Sequence, residues 1–240
     1  MKNYIIYYLF SILFCSCISN TSSQNELNLL DAIKLNILEP SGITNHENHL
    51  FIASDYNGFV YKTNLKGEIL EKMVTGFSDL EGVTVNNKGS FFIVNENKRT
   101  LVKLKLNGKA LIKYKIKGKQ EHGNNGLEGI CYYPPKDNYF VVNEKAPKQL
   151  LSISKKGEIL KKIKIGYVND LSGICFDEKS KTLWLVSDES QQLFQISVKG
   201  KIIKKYHLPI VKAEGVTIFN NKIYIVSDLE NKLYVFKKPN

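Results

Sequence analysis

Acidic residues recur along the 240-residue chain within two short motifs. In the first motif, Glu or Ser precedes Gly and a β-branched residue, and its copies are Ser41-Gly42-Ile43, Glu81-Gly82-Val83, Glu128-Gly129-Ile130, Ser172-Gly173-Ile174 and Glu214-Gly215-Val216. In the second motif, Ser or Asn precedes an acid 13 to 15 residues after each glycine, and its copies are Ser54-Asp55, Asn95-Glu96, Asn143-Glu144, Ser187-Asp188 and Ser227-Asp228. Carboxylates can bind hard metal ions or transfer protons. Either chemistry requires a fold that brings the copies together.

The spacing of the first motif predicts a repeated β-structure. Its glycines lie 40, 47, 44 and 42 residues apart, which is close to the length of one β-propeller blade. Between the motifs lie short runs of β-branched and aromatic residues, such as residues 91–94 and 183–186, bounded by turn residues. We therefore predict an all-β protein, a five-bladed β-propeller with four antiparallel strands in each blade. A six-bladed propeller is the alternative, if one copy of the repeat has diverged.

The ends of the repeat region predict how the ring closes. The last copy ends after its third strand, at residues 232–237, and residues 29–35 supply a strand before the first copy. We expect this N-terminal strand to complete the last blade, because that arrangement leaves no long unpaired sheet edge. Residues 29–240 would then form a single domain, which we expect to be monomeric.

Both motifs should lie at the same end of a blade, because the first opens the inner strand and the second ends its antiparallel neighbour. Ten polar side chains would then meet at one mouth of the central channel, and eight of them are carboxylates. Two carboxylates about 5 Å apart repel by roughly 3 kcal/mol at an effective dielectric constant of 20. Protonation or a bound cation must offset this repulsion.

Oxygen ligands without nearby His or Cys favour a hard ion, and we predict Ca²⁺. The residues that open inner strands and are predicted as metal ligands are Glu81, Glu128 and Glu214. The predicted ligand-binding residues are Ser41, Ser172, Glu144 and Asp188. A structural role stays open for the acids of the second motif, because an acid at a strand end often caps a turn.

Catalytic residues are harder to identify from the sequence. The longest interval between motif glycines enlarges the loop of residues 120–126, which should open onto the same mouth. His122 in this loop is the candidate general base of a hydrolase, and a solvated loop histidine is the alternative. The sequence carries no GxSxG, HExxH or phosphate-binding loop motif. It therefore predicts a binding site without an evident nucleophile.

The net charge of +11 does not indicate a nucleic-acid partner. Arg99 is the only arginine, so 33 of the 34 basic residues are lysines, which lack the planar fork that reads guanine edges. Many of the lysines alternate with apolar residues, as at residues 113–117 and 161–164, which is typical of half-solvated strands. We expect no nucleic-acid binding.

The N-terminus has the proportions of an export signal. Lys2 precedes an apolar run over residues 4–14, so residues 1–16 are predicted as a signal peptide. Ser16 and Cys17 are similar to a bacterial lipoprotein processing site, which predicts lipidation of Cys17 and a polar tether over residues 17–28. We therefore expect a membrane-anchored lipoprotein of the cell envelope, on its periplasmic or extracellular side. The remaining cysteines, Cys131 and Cys175, are predicted as buried thiols, with a disulfide as the alternative.

The Leu-Glu-Gly and Leu-Ser-Gly strand openings, paired with Val-Asn-Glu and Val-Ser-Asp-Glu strand ends, resemble the SdiA-regulated family of YjiK-like envelope propellers. The resemblance covers about residues 39–236 and is most specific over 170–189. It implies a cell-envelope propeller. The Glu-Gly openings are more distantly similar to the gluconolactonase and regucalcin group, whose calcium ligands directly precede such glycines. That similarity implies calcium binding by Glu81, Glu128 and Glu214, whereas Ser41 and Ser172 depart from the pattern.

Three functional hypotheses follow from these residues. The first is a calcium-binding propeller that binds a small molecule, a glycan or a protein at its acidic mouth. The second is a Ca²⁺-dependent lactonase or phosphoric ester hydrolase, in which the metal polarises the substrate and activates water. The third is an interaction platform whose acids only hold the blades together.

Overall fold

The computed structural model describes residues 25–96, 98–105, 107–118 and 126–239. They form five antiparallel sheets of four strands, which confirms the five-bladed prediction over the six-bladed alternative. Blade 1 contains β2 (Pro40–His46), β3 (His49–Ser54), β4 (Phe59–Thr63) and β5 (Ile69–Val74), and blade 2 contains β6 (Leu80–Val85), β7 (Phe91–Asn95), β8 (Thr100–Leu104) and β9 (Ala110–Lys115). Blade 3 contains β10 (Leu127–Tyr133), β11 (Asn138–Asn143), β12 (Gln149–Ile153) and β13 (Ile159–Lys164).

Blade 4 contains β14 (Ile174–Asp177), β15 (Thr182–Ser187), β16 (Gln192–Ile196) and β17 (Ile202–His207), and blade 5 contains β18 (Ala213–Phe219), β19 (Lys222–Ser227), β20 (Lys232–Lys237) and β1 (Asn28–Lys34). The first strand in the chain therefore lies in the last blade, paired antiparallel with β20. This pairing confirms the expected closure. Inner strands pack beside one another in the order β2, β6, β10, β14 and β18, and β18 returns to β2.

Glycine at the first motif is required by the close approach of the inner strands. A Cβ atom on Gly42 would lie 2.8 Å from Cα of Gly82, and one on Gly129 would lie 2.9 Å from Cα of Gly173. A side chain at either position would force the blades apart. The first motif thus pairs a glycine needed for ring closure with the polar residue just before it.

The hydrophobic core lies between blades. The described residues form five clusters of buried apolar side chains, and one of them joins Phe140 of blade 3 to Leu185 and Phe194 of blade 4. The second strand of each blade is buried on both faces because a neighbouring sheet packs on each side. The outer strands β9 and β13 are mostly exposed, as their lysine-rich alternation predicts.

Cys131 and Cys175 are buried and unpaired, as predicted. Burial raises the pKa of both thiols, so they remain protonated and behave as small apolar groups. The predicted signal peptide and Cys17 lie outside the described residues. At the start of the described chain, Asn25 forms a parallel bridge with Tyr206 of blade 4. Within the described ranges, no helix has the length and apolar character to cross a bilayer.

Candidate functional site

The acidic mouth is a cavity of about 150 Å³ at one end of the channel. Of the ten positions in the two motifs, those that line it are Ser41, Asp55, Glu81, Glu96, Glu128, Glu144, Ser172, Glu214 and Asp228. Asp188 is not part of the lining, and its Oδ1 accepts a hydrogen bond from Ala213 N–H at 3.3 Å. The repeat therefore gathers nearly all of these side chains at one end of the ring.

β-Bulges direct the first-motif residues into the mouth. The strand pairing shifts register in four blades, between Pro40 and Ile43, Leu80 and Gly82, Leu127 and Ile130, and Ala213 and Gly215. Each shift contains the Glu or Ser of the first motif. A bulge leaves a residue unpaired in the ladder and redirects its side chain, so these residues leave the regular alternation of the strand.

Backbone hydrogen bonds hold the second-motif acids. The N–H groups of Asp55, Glu96, Glu144 and Asp228 donate, at 2.9 to 3.2 Å, to the carbonyl oxygens of Glu39, Asp79, Gly126 and Lys212 in turn. In blades 2, 4 and 5, the turn is capped instead by the preceding Ser or Asn. Ser227 Oγ, for example, accepts from Glu230 N–H at 3.3 Å, and Asn95 Oδ1 accepts from Lys98 N–H at 3.0 Å. Turn capping therefore does not account for Glu96, Asp188 and Asp228.

Some acids do connect neighbouring blades. Glu96 Oε1 of blade 2 accepts a hydrogen bond from Gly126 N–H of blade 3 at 2.6 Å. Asp188 makes the equivalent connection between blades 4 and 5 through Ala213 N–H. The two serines are also engaged, since Ser41 Oγ donates to Leu80 O and Ser172 Oγ donates to Asp170 Oδ2 at 3.2 Å. These contacts support the ring, and they leave other carboxylate oxygens of the mouth available.

The position two residues before the first-motif Glu or Ser also contributes to the mouth and was not predicted from the sequence. Its occupants in blades 1, 2, 4 and 5 are Glu39, Asp79, Asp170 and Lys212. Glu39, Asp170 and Lys212 line the mouth, and Asp79 carries a carboxylate that approaches those of Asp55 and Glu81. The sequence does contain a pattern that could have predicted this position. Glu39 and Asp170 supply an acid in the two blades where the first motif has Ser instead of Glu.

Two groups of three carboxylates could each hold a metal ion. The first trio is Asp55, Asp79 and Glu81, and the second trio is Glu96, Glu128 and Glu144. Within each trio, one oxygen from every side chain lies within 4.8 Å of the others. Each trio crosses a blade boundary, because it joins the acid that ends a second strand to the acids of the following blade.

Burial and mutual repulsion disfavour ionisation of these acids. Burial, followed by neighbouring carboxylates, raises the pKa of Glu81 and of Glu128 well above the ordinary range. Burial raises the pKa of Glu96 to about 7. Glu128 is only 8% exposed. Without a cation, part of this cluster must therefore hold protons at neutral pH.

Between blades 4 and 5, a lysine takes the place that Asp79 has in the first trio and neutralises the neighbouring acids. Lys212 Nζ lies 3.9 Å from Asp188 Oδ2 and 3.8 Å from Glu214 Oε1. In repeat terms, Asp188, Lys212 and Glu214 match Asp55, Asp79 and Glu81 of the first trio. Burial still raises the pKa of Glu214 to about 8, although Lys212 lowers it.

A lysine partly neutralises the charge of the second trio. Lys145 Nζ lies 3.3 Å from Glu144 Oε1 and 2.6 Å from Glu189 Oε1. The other oxygen of Glu144 is buried and has no hydrogen-bond partner among the residues described. His122 lies outside the described residues, so its predicted role as a general base stays a prediction.

Residues 22–237 match the family model described as SdiA-regulated. The chain belongs to the SdiA-regulated family. This match covers both motifs in every blade, in agreement with the resemblance carried by the strand openings and ends.

The propeller of this SdiA-regulated protein is similar to several solved structures. Glutaminyl cyclase from Myxococcus xanthus aligns with a TM-score of 0.70 and 11% identity, over 88% of this chain and 97% of that chain. A streptogramin B lyase aligns with a TM-score of 0.55 and 14% identity, over 88% and 87% of the two chains. The β-propeller domain of Myceliophteria thermophila Cps50 (Swd1) aligns with a TM-score of 0.53 and 10% identity, over 88% of this chain and 69% of that chain. At these identities the likeness concerns the fold alone.

Proposed function

We propose that this SdiA-regulated propeller binds Ca²⁺ at its acidic mouth and uses the ion to hold an oxygen-rich ligand. The observation that carries the proposal is the contrast between two equivalent clusters. One contains Lys212 between Asp188 and Glu214, and the other contains Asp79 beside Asp55 and Glu81. The change from lysine to aspartate removes one positive charge and adds one negative charge. One divalent cation would offset that difference.

The donor set favours calcium among divalent ions. All donors of both trios are carboxylate oxygens, which suit a hard cation. Three carboxylates can supply up to about six oxygens when they bind in a bidentate manner, and Ca²⁺ accepts six to eight oxygens with irregular geometry. Mg²⁺ requires shorter bonds and near-octahedral geometry, which carboxylates anchored on separate strands and loops of two blades do not favour.

The ion would also provide the ligand site. A cation at the first trio would face the cavity of about 150 Å³, where water would complete its coordination. A carboxylate, phosphate or hydroxyl oxygen of a small molecule, a glycan or a protein could replace that water. Ser41, Ser172 and Glu144 line the same cavity and Asp188 stands beside it, so they would contact the ligand of an ion bound at the first trio.

Calorimetric titration of EDTA-stripped protein with CaCl₂ tests the proposal. We expect saturable binding by the wild type and a loss of at least one site in Glu81→Gln. Glu178→Gln is the matched control, because Glu178 lines a separate cavity formed by the opposite ends of the inner strands. Absence of binding by the wild type, or equal effects of the two substitutions, would refute the proposal.

Hydrolysis is a second candidate function. Glu96 lies within the second trio with its pKa raised by burial to about 7, a value suited to a general base at neutral pH. An ion held by Asp55, Asp79 and Glu81 in the same mouth would polarise a lactone or a phosphoric ester and leave Glu96 free of metal. Turnover of such a substrate panel by the wild type, abolished by EDTA and by Glu96→Gln, would support this function. Turnover that survives both treatments would exclude it.

We further propose that Cys17 is lipidated after export and anchors the propeller to a membrane of the cell envelope. The support is the sequence of the N-terminus, with its apolar run followed by Ser16 and Cys17. Calcium sites of extracellular modules typically have dissociation constants of about 10⁻⁴ to 10⁻³ M, which suits such a location. Incorporation of labelled palmitate by the wild type and not by Cys17→Ser tests the anchor.

A further inference from the structure

Arg99 lies in a second cavity, of about 190 Å³, between blades 2 and 3. It is the only arginine in the chain, and it is 6% exposed. Its backbone has a φ of 46°, in the left-handed region. Gly58, Gln191 and Asn231 occupy the equivalent position, three residues after the second-motif acid, in blades 1, 4 and 5. Blade 2 therefore places a buried cation where these blades have an uncharged turn residue.

The guanidinium is held by elements of both blades. Nη1 donates to Asn143 Oδ1 of blade 3 at 2.7 Å. Gly118, just after the last strand of blade 2, covers the other side, because a Cβ atom there would lie 2.9 Å from Nη2. Ile116 N–H donates to Arg99 O at 2.8 Å and fixes the strand end that carries Gly118. These contacts orient the planar group and leave part of its donor capacity unused.

Among the described residues, no acidic side chain lining this cavity balances the charge of Arg99. Nε is buried and donates to no atom of the described residues. Lys117 and Lys162 line the cavity as well, and no acidic side chain of the described part of the chain does. Burial lowers the pKa of the guanidinium, and the nearby Glu96 opposes this effect. Glu96 already accepts a hydrogen bond from Gly126 N–H.

We propose that this cavity binds a small oxyanion, a phosphate or carboxylate group, between Arg99, Lys117 and Lys162. Arginine presents several N–H donors in a plane that matches the oxygens of such a group, and lysines add charge-assisted bonds. The cavity is smaller than the roughly 300 Å³ at which pockets for drug-sized ligands begin, so it suits a single anionic group. This proposal does not rest on calcium binding at the mouth.

Calorimetry and thermal unfolding of the full chain with inorganic phosphate and with acetate test the proposal. Both are done in EDTA, so that anions cannot bind through a metal, and at constant ionic strength. We expect saturable binding of at least one anion with a rise in melting temperature. The tighter of the two identifies the group as phosphate or carboxylate.

Lys162→Gln should weaken binding roughly 3- to 10-fold, as expected for loss of one partly exposed charge-assisted contact. Lys161→Gln is the matched control, because it removes the same charge from the neighbouring residue of β13, which does not line the cavity. Arg99→Lys keeps the charge but loses the planar fork, and should abolish detectable binding. The proposal is overturned if neither anion binds, or if Lys161→Gln and Lys162→Gln weaken binding equally.

Discussion

Replacing Lys212 by Asp should create an additional calcium site between blades 4 and 5. The substitution would give the cluster of blades 4 and 5 the same three residue types as the first trio, because Asp188 and Glu214 already match Asp55 and Glu81. The lysine now lies within 4 Å of both acids. Lys212→Asp removes that cation and adds a third carboxylate to a partly buried group, since the side chains of Asp188 and Glu214 are 16% and 15% exposed.

The magnitude follows from the distances. Two ionised carboxylates 4.8 Å apart, the upper limit within the first trio, repel by about 3 kcal/mol at an effective dielectric constant of 20. The Lys212 side chain is 54% exposed, so solvent screens much of this repulsion. We expect Lys212→Asp to lower the free energy of unfolding in EDTA by about 1 to 3 kcal/mol. For a domain of this size, the melting temperature would fall by about 2 to 12 °C.

Calcium should reverse the loss. At 100 times the dissociation constant, one bound ion stabilises the folded state by about 2.7 kcal/mol. The assay is calorimetric titration for stoichiometry, together with thermal unfolding at pH 8 with and without CaCl₂. We expect one more site than in the wild type and a larger calcium-induced rise in melting temperature.

Lys212→Gln is the control for Lys212→Asp. It removes the cation without adding a carboxylate, so it should destabilise less and leave the calcium stoichiometry unchanged. The reasoning fails if Lys212→Asp binds no more calcium than the wild type, or if Lys212→Gln gains the same site. Either result would mean that the two clusters are not equivalent in coordination.

Three further outcomes follow. In EDTA, Glu81→Gln should be more stable than the wild type at pH 8, by about 1 to 3 kcal/mol in urea unfolding, because it removes a carboxylate whose pKa burial raises. The free energy of unfolding in EDTA should fall as pH rises from about 4.5 to 7, because folded Glu96 keeps a proton that the unfolded chain releases. This group alone should lower the free energy of unfolding by about 3 kcal/mol over that range. A urea midpoint that does not change with pH would contradict this prediction. Gly129→Ala should lower the melting temperature sharply, because its Cβ would lie 2.8 Å from Ser172 O, whereas Gly166→Ala, with open space around it, should not.

The fold could be predicted because each blade repeats the same local pattern. Gly42 and Gly129 mark inner strands, and the run of residues 183–186 marks a second strand buried on both faces. The closing strand was predicted one residue later than β1 (Asn28–Lys34), since an edge strand is exposed and its ends have little hydrophobic pattern. Gathering of the acids at one mouth followed directly from the antiparallel pairing.

The composition of the mouth was only partly predictable. Lys212 and Asp79 belong to neither motif, and they reach the acids because bulges and left-handed turns redirect the chain just before the inner strands. The Arg99 cavity was not predicted at all, because its walls come from Gly118 of blade 2 and Asn143 of blade 3. Contacts across a blade boundary depend on how two sheets pack, which the spacing of one motif does not specify.

The boundary between blades 2 and 3 combines features that the other boundaries do not share. It carries the longest interval between motif glycines, the second acidic trio and the cavity that contains Arg99. Glu96 connects the trio with the Arg99 cavity. Its carboxylate belongs to the trio, and its backbone carbonyl accepts a hydrogen bond from Arg99 N–H at 3.0 Å. A pseudosymmetric ring needs only equivalent contacts to close, and Lys212 serves that need in blade 5. Charges left unbalanced on either side of blade 2 add nothing to closure, which fits the roles proposed for this blade in binding a cation at the first trio and an anion beside Arg99.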